Sequence, residues 1–160
     1  MTNIVGKRVG IRVRAISIVL GIIVLDQLTK YAARHLFSTP LRITSFFSFQ
    51  IVQNTGASFG IFQNSNTLLI IASIIIIAGL MYHISKEQLH RTETTFYLMI
   101  IGGALANLVD RILFGSVTDF IAFSFWPIFN VADSAITLGV IGLLILAFKH
   151  RDSTRIFTGG

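Results

Sequence analysis

The sequence predicts an all-α membrane protein: four transmembrane helices, with a small outer-face β-ribbon between spans one and two. Three observations predict it. The chain of 160 residues is 53% hydrophobic and only 12% charged, about half the charge of an ordinary soluble domain, and its mean hydropathy is +0.76. It contains four apolar stretches, each close to the roughly 20 residues a helix needs to cross the hydrocarbon core. Its Lys and Arg residues gather on one side of those stretches. These numbers exclude a disordered chain and leave too little polar surface for a soluble fold. The length suits a single multi-pass domain over 1–160. The absence of cysteine excludes a disulfide framework, a thiol nucleophile, a thiolate metal site and a lipid carried on cysteine.

Span one is expected over about 15–34. Lys7, Arg8, Arg12 and Arg14 precede its apolar run, an arrangement that resembles a secretory signal peptide. Asp26 and Lys30 follow instead of a small-residue cleavage site, so an uncleaved span is expected. Between spans one and two, Phe47, Phe49 and Ile51 alternate with Ser48, Gln50 and Val52, a strand period. Asn54-Thr55-Gly56 is a turn signal. A ribbon lying on the membrane with its Phe face toward lipid is expected, with Phe59 and Phe62 continuing the patch. Span two, over 67–84, is the cleanest, rich in Ile and Leu. Span three, over 95–114, carries Gly102 and Ala106, a small-xxx-small pair suited to close helix packing. Span four covers 131–148, and 115–130 is expected as an outer loop.

Orientation follows the positive-inside rule. Lys7, Arg8, Arg12, Arg14, Lys86, Arg91, Lys149, Arg151 and Arg155 fall on one side, against Arg34 and Arg42 on the other. Both termini are therefore expected in the cytoplasm. In that frame the polar residues of the spans all lie toward the outer face: Asp26 and Lys30 in span one, Asn107, Asp110 and Arg111 in span three, Asp133 and Ser134 in span four. Asp119 and Asn130 lie in the loop between the last two. Asp26 and Lys30 are i,i+4 in the favourable acid-first order. Gly103, Asn107, Asp110 and Arg111 share one helical face, and so do Asp133, Ser134 and Thr137. Ionisable groups at membrane depth cost a few kcal/mol each and mark functional sites by default. Three polar faces at one depth predict a shared site. Each residue also has a plainer reading: an ion pair that lets span one insert (Asp26, Lys30), an interfacial end to span three (Asp110, Arg111), a helix cap (Asp133), a loop acid (Asp119). Chance does not put all of them on one side.

Asp119 and Asp133 are close in sequence and can meet. Two carboxylates about 4 Å apart repel by roughly 4 kcal/mol at an effective dielectric near 20. That lifts one pKa from about 3.9 to near neutral, so the pair holds one proton between them. This is the state an aspartic protease uses. The histidines (His35, His83, His90, His150) lie in separate segments and form no metal set, and no zinc motif, phosphate loop or Ser/His/Asp arrangement is present. No cofactor or metal is expected.

Five motifs carry a resemblance: D-Q-L-T-K at 26–30, N-T-G-A-S-F-G at 54–60, G-G-A-L-A-N-L-V-D-R at 102–111, G-S-V-T-D-F-I at 115–121 and F-N-V-A-D-S-A-I at 129–136. In this order, from span one to span four, the chain resembles the lipoprotein signal peptidase (signal peptidase II) family of bacterial membranes. It departs at Ser58, where the family often has Ala, at Ala106, where Gly is frequent, and in a short loop after Asp119. The resemblance implies an aspartic endopeptidase with Asp119 and Asp133 as the catalytic pair. It implies that Asn54, Asn107, Asp110, Arg111, Asn130 and Ala132 shape the site or contact substrate, and that Asp26 and Lys30 support it. The implied substrate is a prolipoprotein carrying diacylglycerol on the cysteine after the cleavage site. Also implied are contact with membrane lipids, inhibition by globomycin-type compounds, a monomer, and a place in the bacterial cytoplasmic (inner) membrane with the active site at the outer face.

The competing reading is a small ion- or proton-coupled transporter subunit, for which intramembrane Asp and Lys are typical. A permeation path needs polar groups or broken helices through the midplane, whereas span two and the inner halves of the others read as apolar. A structural anchor leaves the outer carboxylates without a task. Nucleic acid is not an expected partner, because the basic segments are short and explained by topology.

Overall fold

The computed structural model describes residues 2–56 and 65–157. Ser58, Phe59 and Phe62 lie outside the described residues, as do the side chains of Lys7, Arg8, Arg12, His150, Arg151 and Arg155. The described residues form four helices, α1 (Thr2–Leu36), α2 (Asn66–Lys86), α3 (Arg91–Phe114) and α4 (Val131–Phe157), with β1 (Leu41–Arg42) and β2 (Phe47–Asn54) after α1, and β3 (Val117–Phe123) and β4 (Trp126–Phe129) after α3. Each helix holds a segment long and apolar enough to cross a membrane: Val13–Leu36, Asn66–Lys86, Arg91–Phe114 and Val131–Lys149. These contain the expected spans and run one to four residues beyond them at most ends. The helix of span one begins well before its apolar run, and at 1.5 Å per residue its 35 residues reach about 52 Å.

α3 is the central helix, packed against the other three and most extensively against α4. Ile77, Ile101 and Leu108 form the apolar core, with Val19, Ile70, Leu80 and Ile84 around it. The helix termini are set by local chemistry. At the start of α3 the His90 N–H donates to the Glu93 carboxylate (2.9 Å), half of a capping box. At its end Gly115 takes φ 71° and its N–H returns to the Arg111 carbonyl (3.1 Å). A left-handed glycine is a common way to stop a helix.

The ribbon between spans one and two is part of something larger. The segment 115–130, expected as loop, forms two strands, and all four strands make one antiparallel sheet in the order β1-β2-β3-β4. Asn54 faces Val117 and Val52 faces Asp119 across the β2–β3 pair. The register shifts between Phe49 and Val52, so the simple alternation read from the sequence is broken midway. The phenylalanines pack on one another, with Phe37 and Phe49 stacked at 4.9 Å and Phe47 and Phe123 at 5.0 Å. Connectivity puts this sheet at one end of the bundle, where α1 and α3 finish and α2 and α4 begin. Beside that apolar core, the described residues bury charged and amide side chains completely and leave large apolar ones on the surface. The largest fully buried side chains are Lys30, Asn130, Thr118, Asp26 and Asp110, while Ile74, Ile75, Leu144 and Ile145 are exposed. An apolar surface with the ionisable residues turned into the bundle suits a lipid surrounding.

Candidate active site

The site is built where α1, α3, β3 and the start of α4 converge. Lys30 is fully buried, and its ammonium meets three oxygens: Asp26 Oδ2 at 2.7 Å, Asp110 Oδ2 at 3.0 Å and Asn107 Oδ1 at 3.0 Å. The Asn107 contact is a hydrogen bond, and the two carboxylates supply the opposite charge. The Asp26 contact is a charge contact that does not align as a hydrogen bond. The other Asp26 oxygen accepts the Ala132 N–H at 2.8 Å. Asp110 accepts from Gln27 Nε2 (2.9 Å) and from the Thr118 N–H (3.2 Å). The α1 pair is therefore more than an insertion device: it ties α1 to α3, to the start of α4 and, through Asp110, to β3.

Asp133 is held by a reciprocal cap. Its N–H donates to Asn130 Oδ1 (2.9 Å), and its Oδ2 accepts the Asn130 N–H (3.3 Å). This is a capping box with Asn in place of Ser or Thr, so Asn130 is the cap and Asp133 its partner in the first turn of α4. Its remaining oxygen, Oδ1, accepts from Asn107 Nδ2 at 2.8 Å. α4 comes close to α3 because position 103 is glycine: a Cβ there would lie 2.4 Å from the Ala132 carbonyl oxygen. Gly102, the other half of the sequence pattern, faces Ile22 of α1.

Asp119 lies on β3 rather than in a loop, and is 2% exposed. Two amides donate to it, Asn54 Nδ2 to Oδ2 (2.9 Å) and Asn130 Nδ2 to Oδ1 (2.7 Å). The Asn54 turn is also present: the Gly56 N–H donates to Asn54 Oδ1 at 3.0 Å, which fixes the amide that faces Asp119. Asn130 thus bonds both carboxyl-bearing residues with one side chain. Burial pushes the Asp119 carboxyl up to about 7; the Asp133 charge adds to the rise, while the two amides and Lys30 oppose it. Arg111 donates to the Gly56 carbonyl at 2.7 Å, with its guanidinium within electrostatic reach of Asp119, Asp133 and Asp110.

Asp26, Lys30, Asn54, Asn107, Asp110, Arg111, Asp119, Asn130, Ala132 and Asp133 are thereby brought into one connected set. A groove of about 350 Å³ between β4 and the first turns of α4 opens on Asp133 and is lined by Trp126, Ile128, Phe129, Ser134 and Thr137. A second groove of about 410 Å³, lined by residues such as Val19, Met81 and Leu98, lies toward the other end of the bundle and is apolar. Sequence reasoning passed over Gln27, although it stands inside a quoted motif. It also passed over Arg34, which continues the 26, 30, 34 spacing on one face of α1. Among the described residues, no group of His, Asp and Glu is placed to hold a metal.

Four membrane-spanning helices around a buried polar site at one end define a multi-pass membrane protein. The family model for signal peptidase (SPase) II matches residues 18–149. The lipoprotein signal peptidase of Caldanaerobacter subterraneus subsp. tengcongensis is 41% identical over 91% of this chain and 98% of its own. That of Halothermothrix orenii is 40% identical over 83% and 94%. A bacterial membrane enzyme structure solved by the in meso method at 2.3 Å resolution superposes with a TM-score of 0.82, at 31% identity over 88% of this chain and 90% of that one. The chain belongs to the signal peptidase II family, the lipoprotein signal peptidases.

Proposed function

We propose that this chain is an aspartic endopeptidase that removes the signal peptide from diacylglyceryl-modified prolipoproteins, with Asp119 and Asp133 as the catalytic pair. Family membership supports the coarser statement, a peptidase acting on prolipoprotein signal peptides. The observation that carries the finer one is Asn130, whose single side chain bonds both carboxyl-bearing residues. Four carboxylates (Asp26, Asp110, Asp119, Asp133) and three cations (Lys30, Arg34, Arg111) occupy the site. One proton on the Asp119/Asp133 pair makes it neutral.

In the reading proposed here, the ionised member of the pair takes a proton from water as the water oxygen attacks the scissile carbonyl carbon. The protonated member gives its proton to the carbonyl oxygen. The tetrahedral intermediate then collapses, its C–N bond breaks, and the amine leaves with a proton from the pair. No covalent intermediate forms. The groove beside Asp133 takes substrate residues next to the scissile bond. The termini lie in the cytoplasm and the site end of the bundle at the outer face of the bacterial cytoplasmic membrane. Surrounding lipid presents the diacylglyceryl group to that face, a monomer suffices, and globomycin-type compounds compete for the same groove.

The test is cleavage by purified protein in detergent or lipid of one prolipoprotein with and without its diacylglyceryl group. The lipidated form alone is expected to be cut, at the signal-peptide junction and with globomycin blocking the reaction. Equal cutting of the unlipidated form, or none of either, overturns the reading.

A further inference from the structure

Beside the Lys30 network, Arg34 and Gln53 meet at Thr118, the residue before Asp119, and Ser116 joins them through Gln53. Arg34 gives two N–H groups to Thr118 Oγ1, from Nε at 3.1 Å and Nη2 at 2.8 Å. The Thr118 hydroxyl lies 3.4 Å from Gln53 Oε1, which also accepts from Ser116 Oγ at 2.9 Å. Arg34 is braced on its other side, its guanidinium carbon 4.8 Å from the centre of the Phe114 ring and Nη2 3.9 Å from Asp110 Oδ2. Thr118 is 1% exposed, and its backbone is also engaged: the N–H donates to Asp110, and the carbonyl lies 3.5 Å from Asn130 Nδ2. Gln53 is the register partner of Thr118 and the neighbour of Asn54.

We propose that Arg34, Gln53, Ser116 and Thr118 form a clasp that positions Asp119 and its amide donor Asn54 from the side of the sheet away from Asp133. These are positioning residues, acting through the β2–β3 pair. The clasp grips β3 one residue before Asp119 and β2 one residue before Asn54, so it sets both ends of the Asn54–Asp119 hydrogen bond. A forked guanidinium suits the task, because its two donors fix one hydroxyl in direction as well as distance. The catalytic meaning of the clasp rests on the function proposed above; its physical action on Asp119 does not.

Several groups act on Asp119: Asp133 on α4, Lys30 on α1, Arg111 on α3, Asn54 on β2, and Asn130 before α4. Loosening the clasp slackens the amide donors, which favour the ionised form, while Asp133 and burial remain. The carboxyl of Asp119 is followed by infrared titration of the purified full chain and assigned by its loss in Asp119→Asn. Thr118→Val and Arg34→Met are expected to raise its midpoint by about one pH unit, a tenfold change in proton affinity. The double variant is expected to move it no further than either single one, because both act through the same hydroxyl. Thr118→Ser, which keeps the hydroxyl, restores the wild-type midpoint. In cleavage assays the same two variants lose kcat by about tenfold, with KM within about twofold. A wild-type midpoint in both single variants, or shifts that add in the double variant, overturns the clasp. Shifted midpoints in a protein that cuts no prolipoprotein uphold the clasp and defeat the functional reading. Unmoved midpoints in a protein that cuts do the reverse.

Discussion

Lys30 shows how much one residue holds. It neutralises Asp26 and Asp110 and orients Asn107, whose amide then donates to Asp133. Lys30→Met leaves two carboxylates buried without their cation, and such a loss costs about 3–5 kcal/mol. A loss of stability of that order, with no recovery in Lys30→Arg because the larger fork has no room at 0% exposure, is the expected outcome in thermal unfolding. Asp119 has a distinct signature in pH. Its carboxyl rises from 3.8 to about 7 on folding, so between those values the folded chain binds more protons than the unfolded one, and stability falls as pH rises. Asp119→Asn removes that dependence. The difference in Tm, variant minus wild type, is therefore expected to grow as pH goes from about 4 to 7 and to level off above. Much of this scale was legible in the sequence, since ionisable residues in apolar spans stand out. Asp133 was readable as a cap of span four, but its pairing with Asn130 was not. Thr118 and Gln53 were not, because an uncharged polar residue in a short strand looks the same whether it is solvated or bonded.

At the scale of elements, α3 and the N-terminus of α4 form the critical joint. A Cβ on residue 103 would meet backbone, the Ala132 carbonyl oxygen at 2.4 Å, and a second atom, Ile136 Cγ1, at 2.8 Å. Gly103→Ala is expected to lower stability by about 1–3 kcal/mol. It is also expected to depress cleavage at temperatures where the variant remains folded, because moving α4 moves Asp133 from Asn107. The helices themselves were readable from length and hydropathy. The strands at 117–123 and 126–129 were not. β3 is buried on both faces along most of its length, so its sequence V-T-D-F-I-A-F has no polar side to mark the period. Its only charge, Asp119, is buried by amides contributed from β2 and from the residue before α4, which no local reading supplies.

For the whole molecule, the surface of the spans is apolar and, among the described residues, the buried polar centre lies at one end. That end also carries the sheet and the groove beside Asp133, while the opposite groove is apolar. This arrangement favours a reaction at one membrane face over a path through the bilayer. The chain has no cysteine, so single-cysteine variants report topology cleanly. Ser45 in the β1–β2 turn and Glu87 after α2 are both exposed. A membrane-impermeant maleimide applied to intact cells is expected to label Ser45→Cys, and to reach Glu87→Cys only after permeabilisation. The reverse pattern contradicts the proposed orientation.

The central claim is the carboxylate pair, and one comparison tests it most directly: single-turnover cleavage of a diacylglyceryl-modified prolipoprotein by wild type, Asp119→Asn and Asp133→Asn. All three are first matched for thermal unfolding in the same detergent. Wild type is expected to release the signal peptide, and each variant to fold and cut at least about a thousandfold more slowly, as loss of an acid–base group allows. Cutting by either folded variant within tenfold of wild type contradicts the account.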